Sequence, residues 1–311
     1  MSYRTVYVRS AEKLSLRSKS LIVTKEDKRE VMIPLEDISM ILIEDQRSIL
    51  TTRLIASLSS YYIGLIVCDE KYMPASITLP LHMHYKQLYV FGLQMDVKKP
   101  FNSQLWEMII RSKIINQRDV IQMTTKDEFT LEKLKELEKE IKSGDKTNRE
   151  ASAAKIFFDG IYGKVFTRRQ KNEDAINASL NYGYTILAAN MSRILAMYGF
   201  NTILGIHHCS MSNNFNLSYD MMEPFRPIVD RYVYFNLDNL NYPLTTDVKK
   251  GLINLLYEKV RIKNKIFSVE YAMEEMVLSY IKALETENSK MLLVPKMVEN
   301  EIEEEDNELF L

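Results

Sequence analysis

The period of the apolar pattern changes once along this chain, near Pro80, and that change limits the possible folds more than any other feature. Before it, apolar residues come in short runs: Tyr3-Arg-Thr-Val-Tyr-Val-Arg9, Leu21-Ile-Val-Thr24, Ile38-Ser-Met-Ile-Leu-Ile43, Gly64-Leu-Ile-Val-Cys68 and Ala75-Ser-Ile-Thr-Leu79. Short runs rich in β-branched side chains and bounded by polar turns predict strands. One helix is expected to interrupt them, near Thr52 to Tyr62. After Pro80 the spacing becomes three and four. It runs through Trp106, Ile110, Ile114 and Ile121, then Ala151, Ala154, Phe158 and Ile161. It continues through Leu187, Met191, Ile194 and Tyr198, and through Val277, Tyr280, Ile281 and Leu284. Leu131 to Lys139 reads as a charged amphipathic helix. These patterns predict an α+β protein. A small β-rich domain occupies residues 1–85, a linker 86–100, a nearly all-helical domain 101–290, and an acidic tail, expected to be disordered, 291–311.

A chain of 311 residues with 46% apolar content can bury two cores. No apolar run approaches the roughly 18 residues of a membrane span. The start of the chain carries Arg4 and Arg9 and lacks the apolar stretch of a secretory signal. The two cysteines, Cys68 and Cys209, suit a reducing compartment. A cytoplasmic location with no membrane partner is the expectation. The net charge of −1 speaks against a nucleic-acid partner only as an average. Seven acids and no basic residue fall between Met297 and Leu311, and without those acids the chain carries 41 basic groups against 35 acidic ones. That excess permits a DNA partner without demanding one. The plain reading of the acidic run is a solvated tail; the sharper one is a tail that competes with DNA or docks a basic partner.

Three segments carry groups capable of chemistry, and each has a bland reading beside the functional one. Thr147-Asn-Arg-Glu150 has the form of a capping box, in which hydroxyl and carboxylate satisfy free amides at a helix start. Alternatively Glu150, with only Ala153 and Ala154 one turn on, leaves room for an ion and a phosphate. Arg149 beside it either meets a backbone phosphate or points into solvent. His207 and His208 are half of the four histidines. Adjacent residues point in different directions, so at most one of them faces a given ion. Cys209 follows them with no CxxC or HxxxH, which makes structural zinc a poor reading. Asp220 and Glu223 are three apart, on one face if the segment is helical. A surface Glu223–Arg226 pair of little energy is the bland reading there. Pro224 and Pro227 make a positioned turn the alternative. Should the fold gather Glu150, His208 and Glu223, they form an open oxygen-and-imidazole site. Mg²⁺ prefers oxygen ligands and keeps several waters, and Mn²⁺ also accepts an imidazole. An ion held this way suits phosphodiester chemistry.

The strings 148–163 (NREASAAKIFFDGIYG), 177–189 (NASLNYGYTILAA) and 205–230 (GIHH through NFNLSYDMMEPFRPIVD) resemble the CRISPR-associated integrase-endonuclease family, Cas1, and most of all its type II-A group. The resemblance spans nearly the whole chain. It implies an N-terminal β-sandwich domain, a mainly α-helical catalytic domain and a homodimer. It implies that two such dimers flank a dimer of the second adaptation protein, Cas2, giving four copies and two. It implies double-stranded DNA as partner, both the prespacer and the CRISPR repeat. The implied activity is insertion of short foreign DNA into the CRISPR array, by attack of its 3′-hydroxyls on the repeat ends, with cutting of branched or free DNA at the same site. Glu150 matches the first acidic ligand, His208 the histidine of Gly-x-x-His, and Glu223 the last acidic ligand, in Met-Glu-Pro-Phe-Arg-Pro. These three are the expected catalytic residues and the ligands of Mg²⁺ or Mn²⁺. Asp220 matches a supporting acid, and His207 stands where the pattern varies. Arg149, Arg168 and Arg169 are expected to touch DNA. The type II effector nuclease and the fourth adaptation protein are partners by resemblance alone.

The same features leave a second class of function open: a non-catalytic, DNA-binding scaffold of the adaptation complex, active without metal. A hydrolase of small phosphate esters is disfavoured because no Gly-rich phosphate loop is present.

Overall fold

The computed structural model describes residues 4–80, 85–169, 174–298 and 309–310. They form two compact units, one holding 4–85 with 309–310 and the other 86–298.

The first unit contains β1 (Arg4–Val8), β2 (Lys13–Arg17), β3 (Ser20–Thr24), β4 (Glu30–Pro34), β5 (Ile38–Ile43), β6 (Ile49–Leu50), α1 (Thr52–Ser60), β7 (Gly64–Cys68) and β8 (Pro74–Thr78). One sheet runs β4-β3-β2-β6. In the other, β1, β5 and β7 are parallel and β8 pairs antiparallel with β7. β5 is buried at every position, as expected of a central parallel strand covered on both faces. Leu14, Leu21, Val23 and Ile33 of the first sheet share one apolar cluster with Val6, Val8, Ile41, Ile43 and Leu65 of the second. Two sheets closing on a common core make the expected sandwich. α1 adds Leu54 and Leu58 to that core, and the Thr51 hydroxyl caps its first turn. β2 and β3 turn through Ser18 and Lys19, at φ 49° and 59°. Positive φ at both positions is the hairpin geometry that matches strand twist.

The second unit contains α2 (Gln87–Met95), α3 (Lys99–Met123), α4 (Glu128–Glu140), α5 (Arg149–Tyr162), α6 (Ala175–Met197), α7 (Asn216–Met222), α8 (Arg226–Phe235), α9 (Thr246–Asn254), β9 (Lys259–Ile262), β10 (Lys265–Ser268), α10 (Val269–Glu285) and β11 (Lys296–Met297). α6 buries 18 of its 23 residues, which makes it the axis of the unit. It packs against α7, α8, α9 and α10. α3 lies against α4, α5, α8 and the 3₁₀ turn Glu223–Phe225. Asn116 of α3 donates to the carbonyls of Pro224 (2.8 Å) and Pro295 (3.2 Å) and accepts from the Met297 amide (3.1 Å). This one side chain pins both the 3₁₀ turn and β11 to α3.

Three expectations change. Residues 86–100 are not a linker: they hold α2 and the start of α3. The second unit is mainly α-helical as expected, and β9, β10 and β11 add a small sheet to it. Its hairpin turns at Lys263, at φ 54° between two alternating runs, a signal present in the sequence. The acidic tail does not begin at 291, since β11 pairs with β9, and Leu309–Phe310 form β12, parallel to β1. The seven acids lie at 299–308, outside the described residues. On α5 the buried residues are Ala153, Phe157 and Ile161, not Ala151, Ala154 and Phe158. Two adjacent phenylalanines made either stripe plausible. Phe158 instead joins a flanking cluster with Tyr162 and Phe166.

Candidate functional site

The site forms where α3, α5, α7 and the 3₁₀ turn after α7 converge. Glu150 lies in the first turn of α5, and the capping box of the bland reading is not made. Asn148, at φ 52°, precedes the helix and caps nothing with its side chain. The Asp145 carboxylate takes the Arg149 and Glu150 amides instead, at 2.8 and 2.9 Å. Relieved of capping, the Glu150 carboxylate reaches Lys113 Nζ of α3 at 2.7 Å.

Glu223 opens the 3₁₀ turn. Its Oε2 lies 2.6 Å from the same Lys113 Nζ, and its Oε1 lies 2.9 Å from Arg226 Nε. The Glu223–Arg226 pair is therefore not the weak surface pair of the bland reading, because the Glu223 side chain is only 4% exposed. Glu223 Oε2 and Arg226 Nε have no well-aligned hydrogen bond, so these contacts are ionic rather than directional. Lys113 thus bridges two glutamates that are 73 residues apart in the chain. Burial alone would lower the Lys113 pKa, but the carboxylates of Glu223 and Glu150 outweigh it and hold the ammonium above its ordinary value. Burial pushes Glu150 up, and Lys113 overcomes it, leaving the carboxyl below its ordinary value.

His208 sits in the loop between α6 and α7, positioned by Asp220. The fully buried Asp220 carboxylate accepts from the His207 amide at 2.8 Å and from the His208 amide, and it faces His208 Nδ1 across a short contact. This hydrogen bond raises the His208 pKa against partial burial, with Glu223 and Glu150 adding attraction. Gly205 is required by the packing: a Cβ there would lie 2.2 Å from the His208 carbonyl and 2.8 Å from Asp220 Oδ2. That contact explains the glycine of Gly-x-x-His. The His207 ring turns away and stacks on Trp106, with centroids 4.3 Å apart and planes 3° from parallel. His208 meets the same indole edge-on.

A cleft of about 530 Å³ opens beside His208 and Arg226. Arg168, Tyr184 and Tyr219 line its walls. The guanidiniums of Arg226 and Arg168 lie 4.7 and 5.3 Å from the centre of the Tyr184 ring, within cation–π range. Arg168 is held by Asn177 and Asn181, at 3.0 and 2.6 Å. Arg169 is exposed, and Arg149 pairs with Glu140 at 3.0 Å. Behind the cleft the Tyr184 hydroxyl donates to the fully buried Asp230. Burial pushes the Asp230 carboxyl up to about 7, although Tyr184 and the nearby guanidiniums pull it down.

The structure thus gathers Glu150 and Glu223 on one ammonium, with His208 near both and Asp220 behind it. Among the described residues no three His, Cys, Asp or Glu side chains are disposed to hold a metal ion. Lys113 was missed from the sequence. The signal was a lysine on the apolar stripe of α3, four residues after Ile109 and three after Ile110, and it is buried there. Asp145 was missed because its role depends on where α5 starts.

A strand-rich unit followed by a helical unit is a known class of fold. The chain superposes on the Cas6-RT-Cas1–Cas2 complex with a TM-score of 0.77 at 20% identity, covering 96% of this chain and 37% of that longer one. It also superposes on a casposase bound to integration product, with a TM-score of 0.73 at 21% identity over 92% and 91% of the two chains. The family model for CRISPR associated protein Cas1 matches residues 6–248. The CRISPR-associated endonuclease Cas1 of Neisseria meningitidis serogroup C (strain 8013) is 35% identical over 300 residues, 96% of this chain and 97% of that one. This chain belongs to the Cas1 family.

Proposed function

We propose that the chain is a metal-dependent DNA integrase and endonuclease of CRISPR adaptation, joining 3′-hydroxyls of short foreign DNA to the ends of the CRISPR repeat. The observation that carries this reading is the pair Glu150 and Glu223 drawn onto one cation, beside an imidazole whose other nitrogen is tied to a buried carboxylate. A histidine braced through its second ring nitrogen is the usual support of a metal-ligating imidazole. Glu223 Oε2 is buried and meets the Lys113 ammonium without an aligned hydrogen bond, so a cation already sits where an ion would bind. Two carboxylates and one imidazole suit Mg²⁺ or Mn²⁺. Glu150, Glu223 and His208 would hold the ion, which when bound supplies charge neutralisation at the scissile phosphate and a lowered pKa for the attacking oxygen.

The remaining work falls to the chain's own residues. Asp220 fixes the imidazole and its tautomer. Arg168 and Arg226, on the cleft walls, hold the backbone phosphates that flank the reacting one. Arg149 and Arg169 extend this contact once DNA competes with Glu140 for the former. Tyr219 and Tyr184 line the cleft beside His208 and give the bases of a passing strand aromatic faces to lie on. A homodimer, and its assembly with Cas2 as four copies and two, place two such sites at the two ends of the captured DNA; the Cas1–Cas2 composition of one structural neighbour supports that partner.

The test is strand transfer into a repeat substrate with Mn²⁺, with EDTA, and with Mn²⁺ restored. Glu150→Ala, His208→Ala and Glu223→Ala are each expected to abolish joining while the dimer persists. Full activity of Glu223→Ala would remove that residue from the ligand set. The scaffold reading has one observation in its favour, the Lys113 ammonium seated between both glutamates. Binding and assembly that proceed equally in EDTA, with no strand transfer under any metal, would establish it.

A further inference from the structure

The two glutamates of the site are matched in charge by two cations. Glu150 and Glu223 contribute two negative charges, and Lys113 and Arg226 two positive ones, through contacts of 2.7, 2.6 and 2.9 Å. The Lys113 side chain is 8% exposed and shares the buried face of α3 with Ile109, Ile110 and Ile114. Its ammonium stands on Glu150 Oε1 and Glu223 Oε2, oxygens that a divalent ion would need. A hard ion sits about 2.0–2.2 Å from each ligand oxygen, so an ion and an ammonium sharing both carboxylates would be close, poorly screened cations.

We propose that Lys113 is a resident counter-ion that competes with the divalent ion for Glu150 and Glu223, so that the free protein binds the ion weakly and tight binding needs a DNA phosphate. The inference rests on the reading of this cluster as a metal centre. With Lys113 and Arg226 in place, entry of a divalent ion leaves the cluster with surplus positive charge. A phosphodiester supplies the missing negative charge. By linkage, the factor by which DNA tightens ion binding equals the factor by which the ion tightens DNA binding. The device confines a hydrolytic ion to protein already loaded with substrate.

Mn²⁺ titrations of the full chain, followed by the electron paramagnetic resonance of free Mn²⁺, test this with and without a short duplex; Mn²⁺ held by DNA alone is subtracted. Wild-type affinity is expected to rise about tenfold or more when DNA is added. Lys113→Met is expected to bind Mn²⁺ about tenfold more tightly than wild type without DNA, and to gain less from DNA. Lys113→Gln keeps an amide donor between the glutamates without its charge, and carries the comparison should Lys113→Met fail to fold by circular dichroism. Wild-type or weaker Mn²⁺ affinity in the folded variant would overturn the proposal and leave Lys113 as a mere clamp, with the metal reading intact. No Mn²⁺ binding by wild type in either condition would instead remove the metal reading itself.

Discussion

Asp220 does more than any other single residue to shape the site. It satisfies two backbone amides and braces one imidazole, all from full burial. Asp220→Ala leaves those amides without an acceptor, at about 1–3 kcal/mol for each buried donor. It also frees the His208 ring. Strand transfer is expected to fall about 10–100-fold, the usual effect of removing a carboxylate behind a ligating histidine. Gly205→Ala should resemble it, because its Cβ strikes the same carbonyl and carboxylate. His207→Ala loses a ring stack on Trp106 and an edge contact with the His208 ring, so chemical denaturation should show a loss of about 0.5–1.5 kcal/mol while joining stays near wild type. Asp230 gives a pH test. Its folded-state pKa, about 7, lies above that of an unfolded carboxyl, so the folded protein binds the extra proton between the two values. Stability falls as pH rises through that window and levels off above 7. Asp230→Asn still accepts from Tyr184 and has no charge to bury. Its unfolding free energy in urea should exceed wild type at pH 8, by a margin on the order of a few kcal/mol, and the margin should close towards pH 4–5. A margin independent of pH would show that Asp230 is not buried as a titrating acid.

At the scale of elements, the N-terminus of α5 decides whether Glu150 is a cap or a reactive group. Asp145 takes the Arg149 and Glu150 amides, so Thr147 is left without a capping role. Asp145→Ala should cost about 1–2 kcal/mol in a urea titration and weaken strand transfer as Glu150 turns back towards the exposed amides. Thr147→Ala should change neither measurable quantity. The reverse ranking would restore the capping box. α3 is the complementary element: along one face it supplies Trp106 to the histidine loop, Lys113 to the glutamates and Asn116 to the 3₁₀ turn. A long helix crossing the unit can do this because its side chains hold a fixed three- and four-residue spacing.

At the scale of the whole molecule the governing quantity is charge distribution. The net charge is −1, yet seven acids fall within 299–308. Replacing them with glutamine should tighten duplex binding at low salt, and the gain should shrink as ionic strength shortens the screening length to about 10 Å at 0.1 M. Equal affinity across the salt range would mean that the acidic run does not compete with DNA. Among the described residues no helix is long and apolar enough to cross a membrane.

The sequence by itself determined the strand-rich first part, the helical second part and most helices, because burying one face of an element imposes a period of two or three to four that survives in the residue order. It also marked Glu150, His208, Asp220 and Glu223, through a family resemblance that spacing alone could not have supplied. It could not separate a capping glutamate from a reactive one, since Thr147-x-x-Glu150 satisfies both patterns locally. Only the tertiary structure put Asp145 on the α5 amides, Asn116 under the Pro224 carbonyl and Lys113 between the glutamates. Those contacts join residues far apart in the chain, and electrostatics at 2.6 Å depends on where backbones meet rather than on which residues are neighbours in sequence.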